Sequence, residues 1–399
     1  LWGRVWQWAC REEDIPNVGD YVVYDIADRS VIVVRTDDDE IKGYYNSCLH
    51  RGTQLKQGEG SCSTITCPFH AWSWHLDGRI RRVPARWDFP QKQDPDLTLP
   101  EVRLERWAGF VFVNFDPRAA PLAEFLDVLP GHFEHFPALR DRFTALHVSK
   151  VMPGNWKIVL EAFAESYHTI GTHPALLTWI GDENSQCDVW DTTSRLISLS
   201  VVPSPHLDGA YDDDSVYHDA MAFFAPEIAE EDRPELPPGT TPRAAVAAHA
   251  RRRLGERLGL DFSAAADTEM LDTLEYFLFP NWMPWAGVGL GTQYRFRPNG
   301  NDPDTSIMDI RFMLPLPAAG ERPPPAPVIR LGLEQEFTEI PELAPFSSIL
   351  IEDTSNLPLV QRGMKASATG TVAFSEYQES RIRHFHALLD LWLAEPEEG

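Results

Sequence analysis

Between positions 48 and 70 the chain places Cys48-Leu-His50 and, after sixteen intervening residues, Cys67-Pro-Phe-His70, so each of two short segments carries one thiol and one imidazole. Four such donors serve a single centre only if two loops are held face to face, which restricts the fold to a small scaffold that presents paired loops. Two thiolates and two imidazoles are the ligands of a [2Fe-2S] cluster in which cysteines hold one iron and histidines the other. Structural zinc accepts the same residue types, but it pairs Cys with Cys and His with His across short gaps, whereas here every short gap joins a Cys to a His. Gly52, Gly58, Gly60 and Pro68 are the residues tight ligand-bearing loops require. Cys62 and His75 lie nearby without ligand spacing, and His75 and Trp72 are read as packing beside the second loop.

The surrounding sequence suits that scaffold. Tyr21 to Tyr24 and Val31 to Val34 form short β-branched and aromatic runs between turn signals, which predicts antiparallel strands. Ile80 to Val83 and Trp107 to Asn114 are expected as further strands, and a helical stretch near Leu122 to Phe136 is expected to close an all-β module. The chain's 399 residues, 43% apolar, allow a second domain. A net charge of −25 argues against nucleic acid or anionic membrane as a partner. No apolar run reaches the roughly 18 residues of a membrane span. Five cysteines, Cys10, Cys48, Cys62, Cys67 and Cys187, make no disulfide scaffold and fit a reducing, cytoplasmic compartment.

From Asn155 the pattern turns helical, with Trp156, Val159, Leu160, Phe163 and Tyr167 at spacings of three and four. Glu161, Glu165 and His168 share that spacing and are expected on one helix face. His173 follows past Gly171, where the helix is expected to break and return a second imidazole. Two histidines and one carboxylate on one face form the ligand set of a mononuclear Fe(II) that leaves positions open for oxygen. Asp353 is the best candidate for the carboxylate, with Glu352 second and on the opposite face if that segment is a strand. Taken alone, the histidine pair is also compatible with buried, hydrogen-bonded imidazoles.

Residues 204 to 265 are rich in Pro and acids and read as an insertion, with a surface helix over Pro242 to Leu258. Strands are expected at Tyr276 to Phe279, Gln293 to Arg297 and Ser306 to Leu314, a loop over Pro315 to Pro327, and a helix over Glu376 to Leu393 packed across the sheet. Strands followed by helices predict an α+β class. Phe277, Phe279, Trp282 and Trp285, within Tyr276 to Gly291, either line an apolar pocket or fill the core.

Taken together, Cys48-Leu-His50-Arg-Gly, Cys67-Pro-Phe-His70-Ala-Trp, Asn155-Trp-Lys, Glu161-x3-Glu165-x-Tyr-His168-x4-His173 and, more loosely, Glu352-Asp353 to Gln361-x-Gly363 resemble the α-subunits of the Rieske, or aromatic ring-hydroxylating, oxygenases. The resemblance spans nearly the whole chain. It implies a Rieske domain over residues 18–125 and a catalytic domain over 126–399 joined by the lead-in 1–17, the latter of helix-grip (START-like) fold with an antiparallel sheet. It implies a [2Fe-2S] cluster on Cys48, His50, Cys67 and His70 and a mononuclear Fe(II) on His168, His173 and Asp353. In that family a carboxylate three residues before the first iron histidine links one subunit's cluster to its neighbour's iron, and Glu165 holds that position. The implied assembly is a homotrimer, with or without a β-subunit. The implied partners are a ferredoxin or NAD(P)H-dependent reductase, O2 and a small organic substrate, which is expected to be hydrophobic and cyclic if the aromatic residues of Tyr276 to Gly291 line the pocket. Two residues depart from the pattern: Phe69-His70-Ala71 stands where Tyr-His-Gly is common, and Ala162 where Asn is common. Seven Lys/Arg against two acids over residues 41 to 86 offer a basic rim for an acidic electron donor. Two other classes stay open, an electron-transfer protein with an inactive second domain and a zinc-stabilised binding module.

Overall fold

The computed structural model describes residues 1–134, 139–207, 209, 211–289, 291–344 and 346–394. The chain divides into two compact units, Leu1–Phe125 and Leu126–Gly399.

Among its described residues the first unit contains β1 (Gln7–Arg11), β2 (Asp20–Ile26), β3 (Arg29–Arg35), β4 (Ile41–Tyr45), β5 (Glu59–Ser61), β6 (Ile65–Thr66), β7 (Ser73–Trp74), β8 (Ile80–Arg82), β9 (Glu101–Trp107) and β10 (Phe110–Asn114). They form one sheet in the order β1-β10-β9-β4-β3-β2-β5 and a small one, β6-β7-β8. The run Val31-Ile-Val-Val explains the layering, because a strand covered on both faces reads as continuously apolar. Val31 and Val33 join a core with Ile26, Val111 and Val113. Ile32 and Val34 face the other way, into a core with Tyr44, Trp74, Cys48 and Cys67.

The lead-in 1–17, expected with the second domain, instead supplies β1, whose Gln7 and Arg11 pair with Val113 and Phe110 of β10. All five of its residues are buried, so it has no face to leave in water. Of the strand expected over Trp107 to Asn114, Phe110–Asn114 is β10, while Trp107 ends β9 and Ala108 and Gly109, with left-handed φ of 51° and 81°, turn the β9–β10 hairpin. The helical stretch expected from Leu122 breaks into α1 (Leu122–Phe125) and α2 (Leu129–His132), with Asp127 left-handed between them; its expected end at Phe136 lies outside the described residues.

The second unit is built on β11 (Arg142–Met152), β12 (Ile180–Val189), β13 (Thr193–Ser200), β14 (Thr273–Leu278), β15 (Trp282–Pro284), β16 (Thr292–Asn299), β17 (Asp302–Pro315) and β18 (Val328–Leu331). The sheet order is β12-β13-β14-β15-β16-β17-β11-β18, antiparallel except that β18 runs parallel to β11. Polar sequences such as IGDENSQCDV and TSRLISLS gave β12 and β13 no strand signal. The helices are α3 (Trp156–Ala162), α4 (Thr169–Thr172), α5 (Asp213–Phe224), α6 (Pro242–Leu258), α7 (Asp267–Leu271), α8 (Phe346–Ala366) and α9 (Ser380–Ala394). On α9, Ile382, Phe385, Leu388 and Leu389 are buried, and Phe385 meets Phe277 edge-on at 5.7 Å.

Helix α6 begins where Thr241 caps it ahead of Pro242 and ends at left-handed Gly259. It is not simply a surface helix. Val246, Ala247 and Leu258 share a core with Val216, Tyr217, Ala220 and Met221 of α5, and Arg243 clamps Asp272 through Nη1 and Nη2 at 2.6 and 2.7 Å.

Candidate metal centres

In the first unit the two ligand loops repeat one hydrogen-bond pattern. Cys48 N–H donates to Thr53 O and Cys67 N–H to Trp72 O, while Gly52 N–H returns to Cys48 O and Ala71 N–H to Cys67 O. Gly52 and Ala71 are thus equivalent, and both are left-handed, with φ of 77° and 58°. The loops bring the two thiols within hydrogen-bond reach of each other, and each sulfur also receives backbone N–H groups, from His50 and Arg51 at Cys48 and from His70 and Phe69 at Cys67. Burial pushes the Cys48 thiol up. At Cys67 burial acts the same way but is outweighed by those donors, the Cys48 thiol and the Thr53 hydroxyl, leaving it lowered.

The imidazoles of His50 and His70 stand 4.6 Å apart, centroid to centroid, and His50 stacks on Trp72 at 5.0 Å. His50 Nδ1 is buried without a hydrogen-bond partner. Desolvation, and next the Arg51 guanidinium, holds His70 below the usual imidazole value, which favours the neutral, metal-binding form. Converging thiols, N–H donors on sulfur and an orphaned ring nitrogen fit a [2Fe-2S] cluster. Cys62 lies off this centre, its N–H bonded to Gly19 O, and His75 is exposed. Of the basic rim, Lys42 pairs with Glu101, Arg79 with Asp77 and Arg86 with Asp94, while Arg81 and Arg82 are exposed.

In the second unit the helix expected through Tyr167 ends at Ala162, so Glu161, Glu165 and His168 do not share a face. Phe163 and Ala164 close the last turn through bonds to carbonyls three residues back. Ser166 Oγ then turns to Asp182 O (2.9 Å) and Ser185 Oγ (2.7 Å) on β12. Glu161 meets His386 of α9 (2.8 Å). The break frees Glu165 to accept the backbone N–H of His168 (3.0 Å) and its Nδ1–H (2.7 Å).

His168, His173 and Asp353 each offer one donor atom, all within 4.8 Å of one another. Asp353 Oδ1 lies 2.7 Å from His173 Nε2 and 3.2 Å from His168 Nε2. The segment carrying Asp353 is helical, not a strand, and its buried stripe is Leu350, Asp353, Thr354 and Leu357. Glu352, the alternative carboxylate, points instead to the far nitrogen of the second imidazole, accepting His173 Nδ1–H at 2.7 Å. Each ring therefore turns Nε2 to the centre and Nδ1 to its own carboxylate, Glu165 or Glu352, the arrangement that fixes the tautomer of a metal-ligating histidine. At His168 burial is outweighed by Asp353 and Glu165, which push it up to about 10. His173 is raised against burial by Asp353 and Glu352. Burial of Asp353 is outweighed by the two histidines, which leave it lowered. Two ring nitrogens and one carboxylate oxygen converging in this way fit a single divalent iron with open positions.

These donors border a cavity of about 150 Å³ walled by Phe163, Trp179, Phe223, Phe224, Trp285 and Tyr294, with Ala162 also lining it. Of the four aromatic residues singled out in Tyr276 to Gly291, only Trp285 lines it. Phe277 packs on Phe385 and Phe279 stacks on Trp392. Phe223 and Phe224 could not be anticipated as wall residues, because they come from α5, within the insertion. One wall holds a buried ion pair: Glu275 takes Arg381 Nη1 and Trp285 Nε1, both at 2.9 Å, and Arg381 also holds Ala164 O (2.9 Å) at the helix break. Asp353 did carry a signal, since Leu350, Asp353 and Leu357 keep helical spacing with one acid among apolar residues.

A model of the Rieske [2Fe-2S] domain matches residues 5–93, and one of the ring hydroxylating alpha subunit (catalytic domain) matches residues 139–395. The carnitine monooxygenase oxygenase subunit of Escherichia coli (strain K12) is 35% identical over 179 residues, 44% of this chain and 47% of that protein. The anthranilate 1,2-dioxygenase large subunit of Acinetobacter baylyi is 32% identical over 183 residues, 43% and 38% of the two chains. The match thus spans about half the length or less of these curated relatives. A quaternary ammonium Rieske monooxygenase in complex with L-carnitine superposes with a TM-score of 0.66 at 17% identity, covering 98% of this chain and 90% of that one. Naphthalene 1,2-dioxygenase from Rhodococcus sp. bound to indole superposes with a TM-score of 0.60 at 20% identity, covering 99% and 90%. At such identities the likeness is one of fold.

Proposed function

The chain belongs to the ring-hydroxylating α-subunit family, and from that premise we propose that it is the terminal oxygenase component of a multi-protein system. The observation that carries the reading is the convergence of His168, His173 and Asp353 beside a cavity with aromatic walls. Electrons come from an NAD(P)H-dependent reductase, directly or through a ferredoxin, and the substrate is a small, hydrophobic, cyclic molecule that is hydroxylated or oxidatively dealkylated. When bound, the cluster supplies single electrons and the ferrous iron supplies the site of O2 activation.

The chain's own residues divide the work. Cys48, Cys67, His50 and His70 hold the cluster, and His168, His173 and Asp353 hold the iron. Glu165 keeps the His168 Nδ1 proton (2.7 Å) and is the carboxylate through which a neighbouring subunit's cluster communicates in a homotrimer, with or without a β-subunit. Glu352 orients His173. The aromatic walls position the substrate and exclude water. No described helix is long and apolar enough to cross a membrane; the cytoplasmic location rests on the cysteine usage of the sequence.

The same aromatic walls, with acids nearby, also suit a quaternary ammonium group, the class named for the monooxygenase solved with L-carnitine. That is the second reading of substrate, not of chemistry.

Metal analysis with EPR on the purified protein tests the function. The expected result is acid-labile sulfide, a Rieske EPR signal and one further iron per chain, with NADH-dependent incorporation of labelled O2 into product once a reductase is added. A cluster without the further iron, or with iron but no O2 uptake, leaves an electron carrier with an inactive second domain. A colourless zinc protein overturns both.

A further inference from the structure

The cavity wall built from β13 and β14 differs from the aromatic walls. Leu196, Ser198 and Ser200 alternate onto the cavity face of β13, Thr273 and Glu275 onto that of β14, and all five line the cavity. Ser198 pairs directly with Thr273 across the ladder, which sets two hydroxyl-bearing side chains next to each other. Ser198 is only 5% exposed, yet its Oγ makes no hydrogen bond. By contrast, Ser166 is held by Asp182 and Ser185, and Glu275 by Arg381 and Trp285. A buried hydroxyl left without a partner is costly, and one at a cavity wall is explained when a ligand completes it.

We infer that the Ser198–Thr273 hydroxyl pair is the polar anchor of the substrate subsite, receiving an uncharged hydrogen-bonding group of a substrate about the size of a single ring. The inference rests on the oxygenase reading of the same cavity and narrows its substrate. Size follows from the volume: about 150 Å³ is the space in which an engineered apolar cavity takes up benzene. Charge follows from the lining, which includes Glu165, Glu275 and Asp353 but no Lys or Arg among its described residues. Arg381, the cation behind this wall, is already taken by Glu275, so a substrate carboxylate would lack a partner, and the Ser198 and Thr273 hydroxyls themselves offer a hydrogen bond rather than a charge.

Phenol and toluene test the anchor, because they differ only by a hydroxyl in place of a methyl group. Their dissociation constants are measured by ligand-observed NMR on the iron-loaded full chain, anaerobically and without reductase. The ratio of the toluene to the phenol constant is expected to fall about three- to tenfold in Ser198→Ala and in Thr273→Val, with toluene binding nearly unchanged. Because Ser198 Oγ bonds to nothing in the protein, Ser198→Ala is expected to melt at or above the wild-type temperature. A clearly lower melting temperature assigns that hydroxyl to the fold and overturns the inference. A ratio unchanged in both variants places the phenol hydroxyl elsewhere, at the iron for instance, and also overturns it, as does failure of both probes to bind. Failure of the oxygenase reading is separately visible, as absent NADH-dependent O2 uptake in a protein whose binding ratio still responds to the two substitutions.

Discussion

The two metal centres are assembled in opposite ways. The proposed cluster ligands lie within residues 48 to 70 on two loops that repeat one hydrogen-bond pattern. The proposed iron ligands come from a broken helix at residues 168 and 173 and from Asp353 on α8, and their supports arrive from β12, β14 and α9. A centre made of neighbouring residues is set by local turn chemistry. One made of distant residues depends on every packing contact that brings those segments together.

The largest expected effect is selective loss of metal. Asp353→Ala removes the only carboxylate among the three converging donors, and the purified protein is expected to retain its cluster signal while losing nearly all of the second iron. Cys67→Ser is expected to do the reverse, abolishing the Rieske EPR signal with the second iron still present. Loss of both metals in either variant would break the contrast between independent local and long-range centres.

Next comes the ion pair that ties the long-range centre together. Arg381→Ala leaves the fully buried Glu275 carboxylate without its cation and frees Ala164 O, and chemical denaturation is expected to show a loss of about 3–5 kcal/mol. The bonds within the cluster loops run mostly backbone to backbone, and the side chain of widest reach beside them is the buried Asn46, whose amide holds Ser30, Leu55 and Lys56.

Glu352→Gln tests the outer carboxylates. It replaces the acceptor on His173 Nδ1 (2.7 Å) with a neutral amide, and iron affinity, read by competition with a chelator, is expected to fall about 10- to 100-fold. The cluster is expected to be untouched.

The smallest effect sharpens the local half of the comparison. Ala71 holds the left-handed position that Gly52 holds in the first loop, so Ala71→Gly relieves a side-chain clash with the backbone and is expected to stabilise the protein by about 1 kcal/mol. An unchanged or lower denaturation midpoint would show that the loops are not equivalent in energy.

How far each centre was legible follows from the same contrast. Cys48, His50, Cys67 and His70 could be read directly, because their spacing encodes the loops that carry them. The pair His168 and His173 was legible as residues, but not their support: the helix was expected to run on to Tyr167, and only the Ser166 anchor on β12 shows why it stops at Ala162. The β9–β10 hairpin was missed because Ala108, unlike Gly109, gives no hint of a left-handed turn.

The sequence by itself determined the donor types, the two-loop cluster and the alternation from a β-rich module to a helix-bearing sheet, since periodicity and short spacings are properties of adjacent residues. Only the tertiary structure decided that Asp353 rather than Glu352 faces both imidazoles, because on a helix adjacent side chains diverge by about 100° and packing of the Leu350–Leu357 stripe selects which one turns inward. It likewise decided that Phe223 and Phe224 of the insertion, rather than Phe277 and Phe279, wall the cavity. That choice belongs to contacts between segments far apart in the chain, and no local pattern records them.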